Sequence, residues 1–203
     1  MAGGAVTAKG EVSRERILHA AADVVGRHGY EGATISRICK EAGLPASSIY
    51  WFFRSKDQLV GEVVRLRFDE WFNAQPEWRT PAPGTPVGVA LREILGRVFR
   101  SVAEGPEFLR IGQMLTLQSP EPVARDTYLA LRDSIMALIR LWLEGACAAA
   151  GHRRNPRLVR ELAQVVMVAV DGLFLAAQLE GDVDVDTYVD LTVAAVAAAL
   201  GES

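Results

Sequence analysis

Residues 34–58 read TISRICKEAGLPASSIYWFFRSKDQ and predict two short helices joined by a tight turn, followed by the start of a longer helix. Thr34 is a good N-cap, because its hydroxyl can accept an orphan amide hydrogen of the first turn. Gly43 ends the first helix, since glycine adopts a positive φ at little cost. Pro45 suits the start of the second helix, where an amide hydrogen would be unpaired anyway. A serine three residues before a glutamine predicts a capping box at Ser55 for the third helix.

The second of these helices, residues 45–52, turns a polar face outward. It is too short to be a core element, and Ser47 and Ser48 stand there beside Tyr50 and Trp51. Small hydroxyl side chains next to two aromatic rings make a poor core and a good surface for a polar groove. A helix, a glycine turn and a short outward-facing helix are what a DNA-reading helix-turn-helix requires. The stretch therefore favours DNA binding.

The spacing of particular residues in this region is more specific than the generic motif. The pattern T-x-x-x-I-x-x-x-A-G-x-x-x-x-x-I-Y-x-x-F-x-S-K-x-x-L begins at Thr34, and the region resembles the TetR family of transcriptional regulators over about residues 17–59. Many members of that family carry histidine two residues after the tyrosine. This chain has Phe52 there, so the resemblance assigns no DNA contact to that position.

The remaining sequence predicts an all-α protein of about nine helices, because no alternating run bounded by hairpin dipeptides indicates a strand. Proline and glycine breaks separate a three-helix head from a six-helix body and divide the body into its helices. We expect a flexible N-terminal leader over residues 1–12 and a helix-turn-helix DNA-binding domain over residues 13–54. A ligand-binding and dimerisation domain is expected over residues 55–203.

Charge is divided unevenly along the chain. The formal net charge is −3, but residues 1–60 carry a balance of +2 and the remaining residues a balance of −5. This asymmetry suits a small nucleic-acid-binding head on an acidic body. Cys39 and Cys147 lie far apart on apolar helix faces and predict reduced core thiols. The first ten residues have no long apolar region typical of a signal peptide, so we expect a cytoplasmic protein.

Residues 156–179 form a stretch that is apolar almost all round. As a membrane span it would be short, and Asp171 near its middle would cost about 2.5–3.5 kcal/mol. A helix buried on two sides of a soluble protein fits better. The next helix, residues 184–200, is rich in small apolar residues. Together they suggest a homodimer interface through helices 8 and 9, as the TetR resemblance implies; an ordinary intrachain core is the alternative.

No catalytic or metal-binding motif accompanies these features. The sequence has no phosphate loop, no dinucleotide glycine pattern and no nucleophile elbow. His19, His28 and His152 are scattered, and none stands at ligand spacing from a cysteine. We therefore expect no enzyme activity, no cofactor and no metal site. The alternative interpretation is a helical enzyme or small-molecule carrier without DNA binding.

Nine residues of the head are candidate DNA contacts. Phosphate contacts, which set the register on the duplex, are assigned to Thr34, Tyr50 and the charged Lys56. Base-edge contacts are assigned to Ser36, Arg37, Ala46, Ser47 and Ser48. Short side chains read little by themselves, so base specificity is expected to depend on Arg37, thymine methyl groups and water. Trp51 packs either on the sugar-phosphate wall or inside the head.

The body contains large aromatic and sulfur side chains with a few polar groups among them, which fits a ligand cavity. Plain core packing is the alternative for each residue. The candidate effector-binding residues are Phe72, Phe99, Gln113, Met114, Gln118, Tyr128, Trp142, Met167 and Asp171. The TetR resemblance implies a homodimeric repressor on palindromic double-stranded operator DNA. A small, mainly apolar effector of unknown identity would release it by tilting the long helix that begins after Ser55.

Overall fold

The computed structural model describes residues 8–118 and 122–202, and in this part of the chain all regular structure is helical. Nine helices occur in the described residues. They are α1 (Ala8–Gly32), α2 (Ile35–Ala42), α3 (Ala46–Phe52), α4 (Lys56–Asn73), α5 (Val87–Ala103), α6 (Glu107–Gln118), α7 (Pro122–Ala149), α8 (Pro156–Glu180) and α9 (Val185–Leu200). The predicted all-α architecture is confirmed.

Contacts between residues divide the chain into two compact units. The first unit contains the described residues up to Glu70 together with Glu107–Leu131, and the second contains Trp71–Pro106 together with the described residues from Arg132 onward. The helix α6 and the first turns of α7 therefore belong with the helix-turn-helix elements. The sequence predicts the boundary of the DNA-binding domain at residue 54, with α6 and α7 in the other domain. That boundary remains a prediction about the functions of the two parts.

The first helix is longer than the sequence indicates. It starts at Ala8 rather than at Ser13, so residues 8–12 of the expected leader are helical. Residues 1–7 of that leader lie outside the described part of the chain. The early start follows from a segment without proline, composed mostly of helix-forming residues. The helical path is interrupted at Gly29, whose φ of 68° is cheap for glycine.

The helix-turn-helix of the first unit is braced by α1. Arg16 of α1 donates from Nε to the carbonyl oxygen of Ala42 at 2.8 Å, at the C-terminal end of α2. A cation is favoured there, because the last carbonyl groups of a helix carry partial negative charge. The apolar residues of α1, α2, α3 and the turns that follow α1 and α3 form a buried core: Ile17, Ala21, Val24, Val25, Tyr30, Ala33, Ile38, Ala42, Ile49 and Phe53.

In the second unit, α5 packs against α8 and α9. Two arginines of α5 pair with aspartates of α9: Arg92 with Asp190, and Arg100 with Asp186 at 2.9 Å. The helices approach closely at Gly88, where an added Cβ would stand 3.3 Å from the Cβ of Ala197. The contact between α5 and α9 therefore combines exposed ion pairs with a close apolar approach near the start of α5.

Glu202 fastens the C-terminal end of the second unit to the start of α5. Its carboxylate accepts hydrogen bonds from the amides of Val87 at 2.8 Å and Gly88 at 2.9 Å, and it lies 2.8 Å from Nε2 of His152. Burial raises the pKa of this carboxyl, but the hydrogen bonds from Gly88, His152 and Val87 outweigh burial and lower the pKa below its ordinary value of 4.5. The carboxylate therefore stabilises the fold above about pH 4.5, and this contribution is lost as the pH falls through the lowered pKa.

By length and composition alone, α8 could cross a membrane, although core helices of soluble proteins pass the same test. Asp171 near its middle forms a bidentate ion pair with Arg132 of α7, with Nη–Oδ distances of 2.6 and 2.7 Å. The same helix buries Leu162, Val166 and Phe174 in the second unit. These contacts make α8 a part of the helical packing of that unit.

One buried carboxylate joins α4 to α7 in the first unit. Asp57 is 5% exposed and accepts hydrogen bonds from the amides of Val123 at 2.8 Å and Ala124 at 3.1 Å, and from Oη of Tyr30 at 3.3 Å. Pro122 opens α7 without an amide hydrogen, so the next amides are the orphan donors of that helix. Asp57 thus caps a helix that begins far away in sequence, and its charge lies at the positive end of the helix dipole.

We predict that Asp57→Ala lowers the free energy of unfolding by about 2–4 kcal/mol, because α7 loses its cap and buried donors lose their acceptor. Urea denaturation followed by circular dichroism measures this change. The matched control is Asp69→Ala, which removes an exposed aspartate from the same helix. Equal stabilities for the two variants would show that the cap contributes nothing.

Candidate nucleic-acid interface

The turn of the helix-turn-helix has the geometry that its residues predict. Oγ1 of Thr34 accepts a hydrogen bond from the amide of Arg37 at 3.3 Å, which caps α2. Gly43 adopts a left-handed conformation with φ 61° and ψ 34°. The amide of Leu44 then donates to the carbonyl oxygen of Cys39 at 3.1 Å, and this bond closes the C-terminal end of α2. The chain can therefore reverse within three residues and start α3 after Pro45.

The recognition helix α3 separates an inner face from an outer face. Ile49 is only 1% exposed, whereas Tyr50 is 56% and Trp51 is 82% exposed. Seven of the nine candidate DNA contacts are exposed, and Ser48 and Lys56 are half-buried. The alternative that Trp51 packs inside the head does not match its exposure. Phe52, at the position where the family often has histidine, is half-buried with its ring 6.3 Å from that of Phe53.

Arg37 has a partner that the sequence does not indicate. Its Nη1 donates to the carbonyl oxygen of Gly32 at 2.9 Å, at the end of α1. The side chain remains exposed, and a guanidinium group has five N–H donors. This bond therefore fixes the position of the group at the surface and leaves donors that can reach a base edge.

Lys56 also lies against the segment that follows Gly29. Its Nζ donates to the carbonyl oxygen of Tyr30 at 3.0 Å and stands 4.0 Å from the centre of the Tyr30 ring. A cation over an aromatic face is attracted by the ring quadrupole. Lys56 thus contacts the same tyrosine whose hydroxyl donates to Asp57. An ammonium group can make three hydrogen bonds, so the bond to Tyr30 leaves two donors for a phosphate.

Three candidate effector residues are described within the first unit. Met114 of α6 is half-buried, and its Sδ accepts a hydrogen bond from the amide of Tyr30 at 3.5 Å. Tyr128 of α7 is buried against Gly112, where an added Cβ would lie 2.2 Å from the tyrosine ring. Gln113, which directly precedes Met114 in the sequence, is also half-buried. The side chain of Gln118 lies outside the described residues.

The other candidate effector residues belong to the second unit and have separate surroundings. Phe99 and Met167 are buried, while Phe72 is 38% exposed. Trp142 donates from Nε1 to the carbonyl oxygen of Arg79 at 2.9 Å and lines a cavity of about 410 Å³. Asp171, a polar member of the candidate set, forms an ion pair with Arg132. The role of these residues in binding an effector remains a prediction.

Sequence reasoning missed the central position of Tyr30. Its amide contacts Met114, its carbonyl oxygen contacts Lys56, and its hydroxyl contacts Asp57. The available signal was a lone tyrosine directly after the glycine that interrupts α1.

Among the described residues, no group of histidine, cysteine, aspartate and glutamate side chains could hold a metal ion.

Comparison with known sequences identifies the helix-turn-helix region. The family model described as "Bacterial regulatory proteins, tetR family" matches residues 17–63. The HTH-type transcriptional regulator AcrR of Shigella flexneri is 33% identical over 89 residues, which cover 44% of this chain and 41% of AcrR. The uncharacterised regulator YdgC of Bacillus subtilis is 26% identical over 140 residues, which cover 66% of this chain and 69% of YdgC. The chain thus spans about two fifths of AcrR and about two thirds of YdgC.

Solved structures extend the similarity of fold over nearly the whole chain. A putative TetR-type regulator from Streptomyces avermitilis aligns with a TM-score of 0.69 and 24% identity, covering 94% of this chain and 99% of its own. FadR from Bacillus subtilis, solved with stearoyl-CoA, aligns with a TM-score of 0.69 and 16% identity, covering 90% and 96%. The predicted resemblance to the TetR family of transcriptional regulators is confirmed: its family model matches the helix-turn-helix region, and solved regulators of that type share the fold.

Proposed function

We propose that this protein is a cytoplasmic, homodimeric repressor that binds a palindromic operator and is released by a small, mainly apolar effector. The observation that carries the proposal is the division of α3 into a buried face at Ile49 and an outer face with Tyr50 and Trp51 exposed. The outer face thus combines two exposed aromatic rings with small hydroxyl side chains, which offer both apolar contact and hydrogen bonds. They fit the major groove of a duplex and its sugar-phosphate walls.

The proposed DNA contacts divide into positioning and reading groups. Thr34, Tyr50 and Lys56 contact phosphates, and each has a donor left after its contacts within the chain. Arg37 reads a base edge, since Gly32 holds its guanidinium group at the surface. The small outward residues Ser36, Ala46, Ser47 and Ser48 let the backbone of the motif approach the groove closely. Trp51 packs on the sugar-phosphate wall.

We predict that Lys56→Ala weakens binding to operator and non-operator DNA alike and reduces the slope of log K against log salt by about one unit per protomer, or about two units for the dimer. The physical reason is the loss of one phosphate contact per recognition helix and of the counterion that it releases. Gel shifts at several salt concentrations measure both quantities. Lys40→Ala is the matched control, because it removes an exposed lysine of α2 that has no proposed contact.

The same gel shifts separate the reading role of Arg37 from the positioning role of Lys56. Arg37→Ala should change the preferred operator sequence more than the salt slope, since a base-edge contact discriminates by about 1–3 kcal/mol. If the Lys56→Ala and Lys40→Ala variants had the same affinity for DNA and the same salt slope, the assignment of a phosphate contact to Lys56 would be wrong.

The proposed dimer interface follows the outer faces of α8 and α9. Large apolar side chains of α8 are exposed at Val165, Val168, Leu175 and Leu179, by 42%, 69%, 51% and 76%. With Gly172 between them, these positions follow a three-four spacing, which keeps one stripe facing a partner helix. Thr187, Leu191, Ala194 and Ala198 continue a similar exposed stripe on α9. Apolar stripes on two neighbouring helices favour an isologous four-helix interface.

We predict that Val168→Asp combined with Leu175→Asp yields a monomer at micromolar concentration, because two charges would be buried without partners at each copy of the stripe. Sedimentation velocity measures the mass. The control is Val89→Asp, at an exposed valine of α5 outside the stripe. A charge at Phe174 of the same helix would not test the interface, because this residue is 2% exposed and belongs to the core. A monomeric unmodified protein would contradict the interface.

The proposed switch runs through Tyr30. Met114, a candidate effector residue, contacts the amide of Tyr30, and the carbonyl oxygen of Tyr30 holds Lys56. Asp57, the next residue, caps α7, which carries the candidate effector residue Tyr128. An effector that displaces α6 or the start of α7 therefore alters the support of α4 at its DNA-contacting end. The likeness to FadR, solved with stearoyl-CoA, supports a long apolar effector.

We predict that an effector binds more weakly, by about 5- to 150-fold, when operator DNA is bound, because a coupling of 1–3 kcal/mol acts equally on both ligands. Isothermal titration calorimetry measures this with the best compound from a thermal-shift screen of apolar ligands, with stearoyl-CoA as the first compound tested. A non-operator duplex of equal length is the control. If the compound bound equally well in the presence of the operator and of the control duplex, it could not release the protein from its operator.

A further inference from the structure

A cavity at one end of the second unit has the size of a small-molecule site. Its volume is about 600 Å³, within the range of about 300–1,000 Å³ that is usual for such sites. The C-terminal turns of α7, the loop 150–155 and the start of α8 enclose it, and Leu200 of α9 contributes from the side. None of the candidate effector residues lines this cavity.

The wall of the cavity is largely apolar. Leu158, Val159 and Leu200 line it, and so does Leu141, which is 69% exposed although it is a large apolar residue. A neighbouring cavity of about 310 Å³ between α7 and α8 shares Leu141 and Val159 with it. The two cavities therefore form one groove whose apolar surface is open to solvent.

Arginine side chains surround this apolar groove. Arg153 and Arg154 line the larger cavity, and Arg140 and Arg160 line the smaller one. The one carboxylate among the lining residues of both is Glu144. None of the four arginines forms an ion pair with a described carboxylate, whereas Arg157, on the same turn of α8, pairs with Glu161 at 2.9 Å. The groove thus carries a local positive charge in the part of the chain that is acidic as a whole.

The position of these cations is unfavourable for the helix that they surround. α8 begins at Pro156 with Asn155 as N-cap, and its first turn contains no acidic residue. The N-terminal end of a helix carries partial positive charge, so nearby cations destabilise it and a nearby anion stabilises it. Arg153 and Arg154, directly before this end, therefore gain nothing from the dipole of α8, whereas a bound anion would be favoured by both the dipole and the arginines.

We propose that this groove binds an amphipathic anion, a small molecule with an apolar body and an anionic head such as a carboxylate or sulfonate. Arg153 and Arg154 hold the head at the start of α8, and the body lies along Leu141, Leu158 and Val159. The site is separate from the candidate effector residues and goes beyond the proposed repressor function. Its ligand differs from the mainly apolar effector proposed above because it carries a negative charge.

The test uses the full chain and two probes, the fluorescent sulfonate 8-anilinonaphthalene-1-sulfonate and the competitor pair decanoate and decanol. Arg153→Gln combined with Arg154→Gln should weaken sulfonate binding by about tenfold or more, because charged hydrogen bonds to the head are lost. The matched control is Arg125→Gln combined with Arg157→Gln, which removes the same charge from arginines outside both cavities and should change binding by less than about twofold. Decanoate should displace the sulfonate at a concentration about tenfold lower than decanol does.

A second variant tests the apolar part of the groove without changing its charge. Ala148→Trp adds an indole at an exposed alanine that lines the larger cavity, and it should weaken sulfonate binding as well. The proposal would be overturned if the two double-arginine variants bound the sulfonate equally well, or if decanoate and decanol displaced it at the same concentration. A groove covered by a second copy of the chain would give the first of these results. Gel shifts with operator DNA should be unchanged in all these variants, so a failure of DNA binding is scored separately.

Discussion

The first unit depends on the hydrogen bonds that the buried carboxylate of Asp57 accepts. A carboxylate in such a place is stable only if its oxygens are fully engaged, because the desolvation of an unpaired charge costs several kcal/mol. Two orphan amides of α7 and one tyrosine hydroxyl meet that need. The consequence is positional: α4 and α7, which begin far apart in sequence, have a fixed spacing at their starts. Both helices run on into the second unit.

This constraint places the proposed DNA-contacting end of α4 under control of residues outside the helix-turn-helix. Lys56 precedes Asp57 directly, and both contact Tyr30. Tyr30 in turn follows the interruption of α1 and contacts Met114 through its amide. A shift in α6 or α7 therefore cannot leave the first turn of α4 unchanged unless these bonds break. A single tyrosine with three polar contacts connects elements that the sequence presents as unrelated segments.

Local features of the sequence predicted the helices and the turn well, because their causes are local. Thr34, Gly43 and Pro45 act on neighbouring backbone groups, and the structure has each where its chemistry requires. The start of α1 at Ala8 was not predicted, because the short segment 8–12 contains Gly10 and shows no apolar periodicity. Partners distant in sequence were also missed: Asp57 for α7, Arg132 for Asp171 and Gly32 for Arg37 each depend on packing that no periodicity encodes. The candidate effector residues were chosen by chemical type alone, and the structure distributes them between two units.

The helix α8 shows how features that oppose stability indicate function. Its buried face explains Leu162, Val166 and Phe174, and its ion pair with α7 explains Asp171. Neither explains a continuous exposed stripe of valine and leucine, nor arginines gathered at the positive end of the helix. A monomer in water gains nothing from either feature, because apolar surface there is unfavourable and like charges repel. The proposed dimer would cover the stripe with a second apolar helix, and the proposed ligand would place an anion beside the arginines.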